Sequence, residues 1–248
     1  MSVAPILEVK AVSRHFGKFK ALSHVSVAFR AGELTAIIGP NGAGKSTFFN
    51  VISGGVPPSE GQVLFEGRDI TGLAPHDFAR QGIAKSFQIT NVFKQLSAHE
   101  NVRVALQMRV TQFQLWRSRQ SYGELIERAD ALLARVGLSA SRNKLAGDLA
   151  HGQQRSLEVA MALACEPKLL LMDEPTAGMS PEETGVMMNL IRELATERTV
   201  ILVEHKMKLV MGLCQRLIVL HHGELLVDGN PEEIRANAEV KRVYLGQG

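Results

Sequence analysis

The chain has 248 residues, 45% hydrophobic and 21% charged, which is ordinary for a globular protein and excludes disordered and fibrous classes. That length suffices for one sizeable α/β domain, or for one domain carrying an inserted part. A net charge of +3 is only mildly basic: it suits an anionic ligand and does not by itself argue for nucleic acid. Cys165 and Cys214 lie far apart, without CxxC spacing or adjacent histidine partners, so they read as core fillers and not as a zinc site or disulfide framework. The first residues lack the basic and apolar regions of a signal peptide, and no apolar run approaches the roughly 20 residues that cross a bilayer. A cytosolic chain is expected, with any membrane association made through a partner.

Taken in order, Ile6 to Val12 alternates apolar and polar side chains at its start, and Ala21 to Phe29 does so more weakly. Two such runs predict an antiparallel layer. The turn between them, Arg14 to Lys18, carries Phe16, an aromatic able to stack on an adenine ring, a contact worth about 1–3 kcal/mol with any base. Packing on the edge of the sheet is the plainer role for the same ring. Leu34 to Ile38 is an apolar run that reads as a buried strand, and Phe48 to Ile52 reads as a helix. Between them Gly39-Pro40-Asn41-Gly42-Ala43-Gly44-Lys45-Ser46-Thr47 fits the phosphate-binding template G-x-x-x-x-G-K-[ST], in the strand, loop and helix context the template requires. Glycines permit positive φ, so the backbone can wrap a polyphosphate with its N–H groups inward, beside the positive end of the helix. Lys45 would bring a point charge to the β- and γ-phosphates, and the Ser46 hydroxyl would ligate Mg²⁺.

Ser53 to Gly61 is a cluster of breakers and so a loop, after which Gln62 to Gly67 returns as a strand. Lys85-Ser86-Phe87-Gln88 puts Gln88 at a strand end, a candidate contact for Mg²⁺ and water, although a lone Gln is usually a surface residue. Ser97-Ala98-His99-Glu100 has capping-box form and opens a polar-rich helical region to about Leu138, where Leu125, Ala129, Leu132, Leu133 and Val136 recur at helical spacing. Trp116 lies in this region, where partner docking and half-buried helix packing are both open. Leu149 to Arg155 is a glycine-containing turn leading into a strong helix former. Leu169 to Met172 then sets Asp173 and Glu174 at the C-terminal end of an apolar strand. There a parallel sheet presents a Mg²⁺ ligand and a group able to reach a water behind the γ-phosphate. Ser180-Pro181-Glu182-Glu183 is a second capping box, whose helix shows Val186, Met187, Leu190, Ile191 and Leu194 on its core face. Thr199 to Val203 is another buried strand with His205 just past its end, at the same sheet edge as Asp173 and Glu174, placed to sense the γ-phosphate. Arg216 to Leu220 and Glu224 to Asp228 read as a hairpin through Gly223, and Asn230 caps a further helix. Without a repeat, low-complexity segment or obvious linker, one domain with an inserted helical part is expected.

In this order the motifs resemble the ATP-binding subunit of an ABC transporter over nearly the whole chain. The resemblance sets Leu149 to Gln154 in the place of the family signature LSGGQ. It sets Phe16 at the aromatic A-loop, Gln88 at the Q-loop, Ala177 to Ser180 at the D-loop and His205 at the switch histidine. It implies an α/β fold: a P-loop NTPase (RecA-like) core with a mixed, mainly parallel sheet and an antiparallel β subdomain. A helical subdomain at about residues 89–160 would be inserted in a single nucleotide-binding domain, 1–248. It further implies ATP and Mg²⁺, the metal held by Ser46, Gln88 and Asp173, with Glu174, His205 and Lys45 as catalytic residues. Ala150, His151, Gly152 and Gln153 would cover the γ-phosphate held by a second ATP-binding subunit, paired head to tail. Implied partners are that subunit, integral membrane permease subunits and, indirectly, a periplasmic or extracellular substrate-binding protein, with no nucleic acid. The implied location is the cytoplasmic face of the membrane.

Two departures stand out. Ala150 lacks the serine hydroxyl that the family presents to the opposite γ-phosphate, a hydrogen bond to a charged group worth about 1.5–3 kcal/mol. Gly152 and Gln153 keep the turn and its helix N-terminus, so function is expected to survive. Ser180 stands where the family usually has Asp. The signature variant, Glu174 to Met179 and the C-terminal Val243-Tyr244-Leu245-Gly246 look most like the bacterial branched-chain or hydrophobic amino-acid uptake group, so an importer is expected. ATPases of urea uptake and lipopolysaccharide export share parts of the pattern. An ABC-type ATPase acting on nucleic acid or ribosomes is the alternative from another class, but those usually carry two cassettes or a long coiled-coil insertion, which this chain lacks. Glu174 argues against a regulator that does not hydrolyse.

Overall fold

The computed structural model describes residues 4–86, 92–110 and 119–245. They form two compact units. The first runs to Ile83 and takes in Lys168–Glu174 and everything from Ile191; the second holds Ala84–Pro167 and Pro175–Leu190. The sequence expectation for the inserted helical part, 89–160, is narrower than the second unit.

In the first unit, strands β1 (Pro5–Phe16) and β2 (Phe19–Arg30) pair antiparallel across a turn of only Gly17 and Lys18. Both outrun the stretches whose alternation announced them, and the turn expected over Arg14 to Lys18 shrinks to two residues. Register shifts between Val9 and His15 are the reason: each irregularity swaps the faces of the strand and erases the period-2 pattern while the ladder continues. Strand β3 (Leu34–Ile38), buried at every residue, leads through the phosphate loop into helix α1 (Lys45–Ile52). Strands β4 (Glu60–Phe65) and β5 (Arg68–Asp69) complete a first sheet of order β2-β1-β4-β5. Helix α2 (Pro75–Gln81) and strand β6 (Ile83–Ser86) then carry the chain into the second unit.

That unit is helical: α3 (Ala98–Val110), α4 (Arg119–Arg135) and α5 (His151–Leu163). The stripe read from the sequence is its core, with Leu125, Ala129, Leu133 and Val136 buried beside Val102, Leu106 and Leu157, and Leu132 half-buried. Asn101, fully buried, clasps the preceding loop: its Oδ1 accepts the Phe93 N–H at 2.8 Å, and its Nδ2 donates to the Ser97 carbonyl at 2.9 Å. The capping box at Ser97 is only half made. The Ser97 hydroxyl accepts the Glu100 N–H at 3.1 Å, but the Glu100 carboxylate turns forward to Arg103, whose guanidinium Nε lies 3.0 Å away and outcompetes a neutral backbone donor.

The remaining elements are β7 (Leu169–Asp173), α6 (Pro181–Ala195), β8 (Thr199–Val203), α7 (Met207–Leu213), β9 (Arg216–His221), β10 (Glu224–Gly229), α8 (Pro231–Ala236) and α9 (Ala238–Leu245). The capping box at Ser180 is complete, its hydroxyl accepting the Glu183 N–H at 3.2 Å while the Glu183 carboxylate accepts the Ser180 N–H at 3.0 Å. On α6, Met187, Leu190, Ile191 and Leu194 are buried, but Val186 is 63% exposed. It sits one residue off the stripe, about 100° around the helix from Met187, so the core face is narrower than expected.

The second sheet has the order β10-β9-β3-β8-β7-β6, with β3 parallel to β8 and β9, β7 parallel to β8, and β10 antiparallel to β9. It is a mixed, mainly parallel sheet. Every residue of β3, β7 and β8 is buried, as both faces of a parallel sheet require, and this is why all three read as unbroken apolar runs. Ile37, Val203 and Asp173 lie in register across β3, β8 and β7. The residues that follow them therefore emerge side by side at one edge of the sheet.

Candidate active site

That register builds the site. Two residues past Ile37 begins the phosphate loop, one past Asp173 is Glu174, and two past Val203 is His205. Gly39 and Gly44 are required by close approach. A Cβ on Gly39 would run into the Leu220 carbonyl, and one on Gly44 (φ 96°) would meet the Ala21 carbonyl at 2.8 Å. The loop is therefore wedged between β2 and the β9–β10 turn, where the Gly223 N–H also donates to the Ala43 carbonyl at 3.0 Å. Gly44 offers no side-chain cap to α1, whose first-turn N–H groups have no intrahelical acceptors. Pro40, Gly44 and Thr47 are half-buried, Asn41, Gly42 and Ser46 exposed, and Ala43 buried.

Lys45 is 8% exposed, and its Nζ donates to the carbonyls of Gly39 at 2.7 Å and Pro40 at 2.9 Å. Burial lowers its pKa, while the charges of Glu174 and Asp173 raise it, so the ammonium and both strand-tip acids share one electrostatic neighbourhood. Asp173 is 5% exposed at the end of β7. Glu174 adopts φ 45°, uncommon for a residue with a Cβ, and is pinned by its N–H to the Val203 carbonyl at 2.9 Å. Its Oε1 lies 3.6 Å from Nδ1 of His205, whose side chain is half exposed. Lys45, Asp173, Glu174 and His205 are thus brought together.

Phe16 ends β1, 47% exposed, with the Arg14 guanidinium 4.7 Å from its ring centroid. Gln88 lies outside the described residues, as does Trp116. In the second unit, Ala150 stands at the N-cap of α5 with no side-chain oxygen, and its own N–H donates to the Gln153 side chain at 3.2 Å. His151 is exposed, its ring filling the space that a Cβ on Gly178 would need. Gly152 is buried against the Glu183 carboxylate. The signature turn and the loop after Glu174 therefore pack on each other, His151 against Gly178 and Gly152 against Glu183.

Two contributors were not recognised in the sequence. Glu204, 1% exposed, lies between Val203 and His205; its signal, an acid directly after an apolar strand, is the one that singled out Asp173. Tyr244 reaches the loop from α9: burial pushes its hydroxyl up to about 12, opposed by a hydrogen bond with the Gly39 backbone. No local pattern predicts that approach.

The uncapped N-terminus of α1 and the buried Lys45 suit a polyphosphate. For Mg²⁺, no group of three His, Cys, Asp or Glu side chains among the described residues could cage a metal. One buried carboxylate, Asp173, and one exposed hydroxyl, Ser46, do fit an ion that keeps most of its ligands as water and phosphate.

The family model described as ABC transporter matches residues 22–177, and a second, described as branched-chain amino acid ATP-binding cassette transporter, matches residues 224–248. The chain is 39% identical to the high-affinity branched-chain amino acid transport ATP-binding protein BraF of Pseudomonas aeruginosa, over 98% of each chain. Among solved structures it resembles an ATP-binding cassette of an ABC transporter in its ADP conformation, at 31% identity and TM-score 0.86, over 98% of this chain and 100% of that one. It also resembles the dimeric post-hydrolysis state of a cassette bound to ADP and Pi, at 28% identity and TM-score 0.77, over 91% of this chain and 98% of that one. On these matches, the protein belongs to the ABC transporter family and is an ATP-binding cassette that hydrolyses ATP to drive transport.

Proposed function

We propose that this cassette energises uptake of branched-chain amino acids and performs hydrolysis at the edge of its parallel sheet. The observation that carries the reading is the convergence of a buried lysine, two strand-tip acids and an imidazole on the mouth of one phosphate loop, with His205 Nδ1 3.6 Å from Glu174 Oε1. Lys45, already paired with carbonyl oxygens of the loop, exchanges them for oxygens of the β- and γ-phosphates. Glu174, held in a left-handed conformation by the β8 backbone, orients a water and takes its proton, a role worth about 10²–10⁴-fold in rate. His205 steadies charge on the terminal phosphate. Ser46, Asp173 and Gln88 would hold Mg²⁺, which would supply neutralisation of phosphate charge. Phe16, open on the face that Arg14 leaves, stacks on adenine.

A second cassette completes the site. Because Ala150 carries no capping oxygen, the N–H groups opening α5 meet no side-chain acceptor there, and they can donate to the γ-phosphate held by another copy or a related chain. The dimeric relative supports this arrangement. No helix among the described residues is long and apolar enough to cross a membrane, so attachment to the cytoplasmic face runs through permease subunits. An apolar face for them is offered by Phe93 and Leu145, 53% and 46% exposed, whose loops are tied by the Gly147 N–H to the Lys94 carbonyl at 3.0 Å. Amino-acid import is supported by the match at 224–248 and by the relatives' transport role.

The test is uptake. Tagged chain isolated from native membranes should bring down two multi-spanning proteins, and ATP-loaded vesicles carrying that complex should take up labelled leucine. Undiminished uptake by vesicles from cells lacking this chain would overturn the proposal.

A further inference from the structure

Glu204 is sealed from solvent, yet its carboxylate bonds the backbone of His205, the proposed contact to the terminal phosphate. Its backbone N–H donates to the Ile37 carbonyl at 3.4 Å, prolonging the β8–β3 ladder one residue beyond Val203. Its carboxylate turns back on the chain that follows: Oε2 accepts the His205 N–H at 3.2 Å, with the Lys206 N–H at 3.5 Å. The same oxygen lies 4.0 Å from His205 Nδ1. With Glu174 Oε1 at 3.6 Å from that nitrogen, one edge of the imidazole faces two carboxylates, one half-open to solvent and one sealed. A buried carboxylate is costly unless donors are turned toward it, and here the donors include the backbone that carries the histidine. The charge is felt nearby: burial first, and Glu204 second, push the Cys214 thiol up to about 12.

We propose that Glu204 is the positioning residue of His205. It fixes the backbone after β8 and holds Nδ1 inward as an N–H, so that Nε2 is the nitrogen presented to the terminal phosphate of ATP. Because Nδ1 is shared with Glu174, Glu204 also sets how closely the histidine approaches that base. The inference rests on the proposed role of His205.

Glu204→Gln keeps the shape and an acceptor oxygen but removes the charge facing Nδ1. The expected result is a kcat lower by about tenfold, below the ~10² that a misplaced catalytic group costs, with KM for ATP within about twofold. The ring ¹⁵N signals of His205 should move in the same variant. Glu204→Asp retracts the charge by one methylene and should move those signals too, with a kcat loss of about threefold. An unchanged kcat in Glu204→Gln would overturn the inference, as would a loss of kcat with His205 signals unmoved in both variants. Full turnover by His205→Ala would instead remove the role assigned to the histidine, and the inference with it.

Discussion

Lys45 carries its charge in a setting that works against it: burial lowers the pKa of its ammonium, and only the carboxylates of Glu174 and Asp173 pull it back up. A lysine kept charged there has its use in binding anions. Lys45→Ala is expected to weaken nucleotide binding by about tenfold to a hundredfold, the range for losing a hydrogen bond to a charged group, and titration with a fluorescent ATP analogue measures it. At this scale the site was legible wherever spacing implies a fold. The G-x-x-x-x-G-K-[ST] run prescribes strand, loop and helix, and acids or a histidine just past apolar strands land on one edge of a parallel sheet. Glu204 carries the signal that singled out Asp173, an acid directly after an apolar strand, but stands beside a motif histidine with no motif spacing of its own; its burial and its bonds to the His205 and Lys206 N–H groups mark it out.

Elements show the same division between local and long-range information. The capping box opening α6 was readable and is made in full; Ser180→Ala should cost about 0.5–2 kcal/mol, seen as a lower denaturant midpoint at unchanged slope. The one at α3 was equally readable and is half made, because Arg103 lies one turn on and takes the Glu100 carboxylate. The lengths of β1 and β2 were hidden by their register shifts. Least legible was how the C-terminal hairpin and α9 meet the phosphate loop, since Gly223 and Ala43 are joined by a hydrogen bond between residues far apart in sequence. Tyr244 makes that docking measurable. Its pKa rises from 10.0 to about 12, so above pH 10 the unfolded chain has released a proton that the folded chain still holds. Stability should therefore fall as pH climbs from 10 to 12. One of the two tyrosines should form phenolate, followed by ultraviolet absorbance, only near pH 12; two ordinary titrations would mean that α9 is undocked.

For the whole molecule, ATP is expected to be the adhesive between cassettes, since in the proposed arrangement one nucleotide takes the phosphate loop of one chain and the uncapped α5 of another. Ala150→Ser restores a hydroxyl at the α5 N-cap, and sedimentation with ATP and a hydrolysis-blocked variant should show a dimer about tenfold tighter or more, the low end of what a hydrogen bond to a charged group supplies. The overall architecture was legible because three unbroken apolar runs, each ending at a chemical group, leave few folds open, and a mainly parallel sheet is the one that buries both faces of such strands. The class of cargo was legible only through the signature variant and the C-terminal segment, where the branched-chain amino acid cassette model matches residues 224–248, and not through any site that would hold the cargo itself. The central claim, that Glu174 at the tip of β7 activates the water that cleaves ATP, is tested most directly by ATP turnover and ATP binding in Glu174→Gln. Binding near the wild-type level with turnover reduced by about 10²-fold or more is the predicted result, and turnover at the wild-type rate would contradict it.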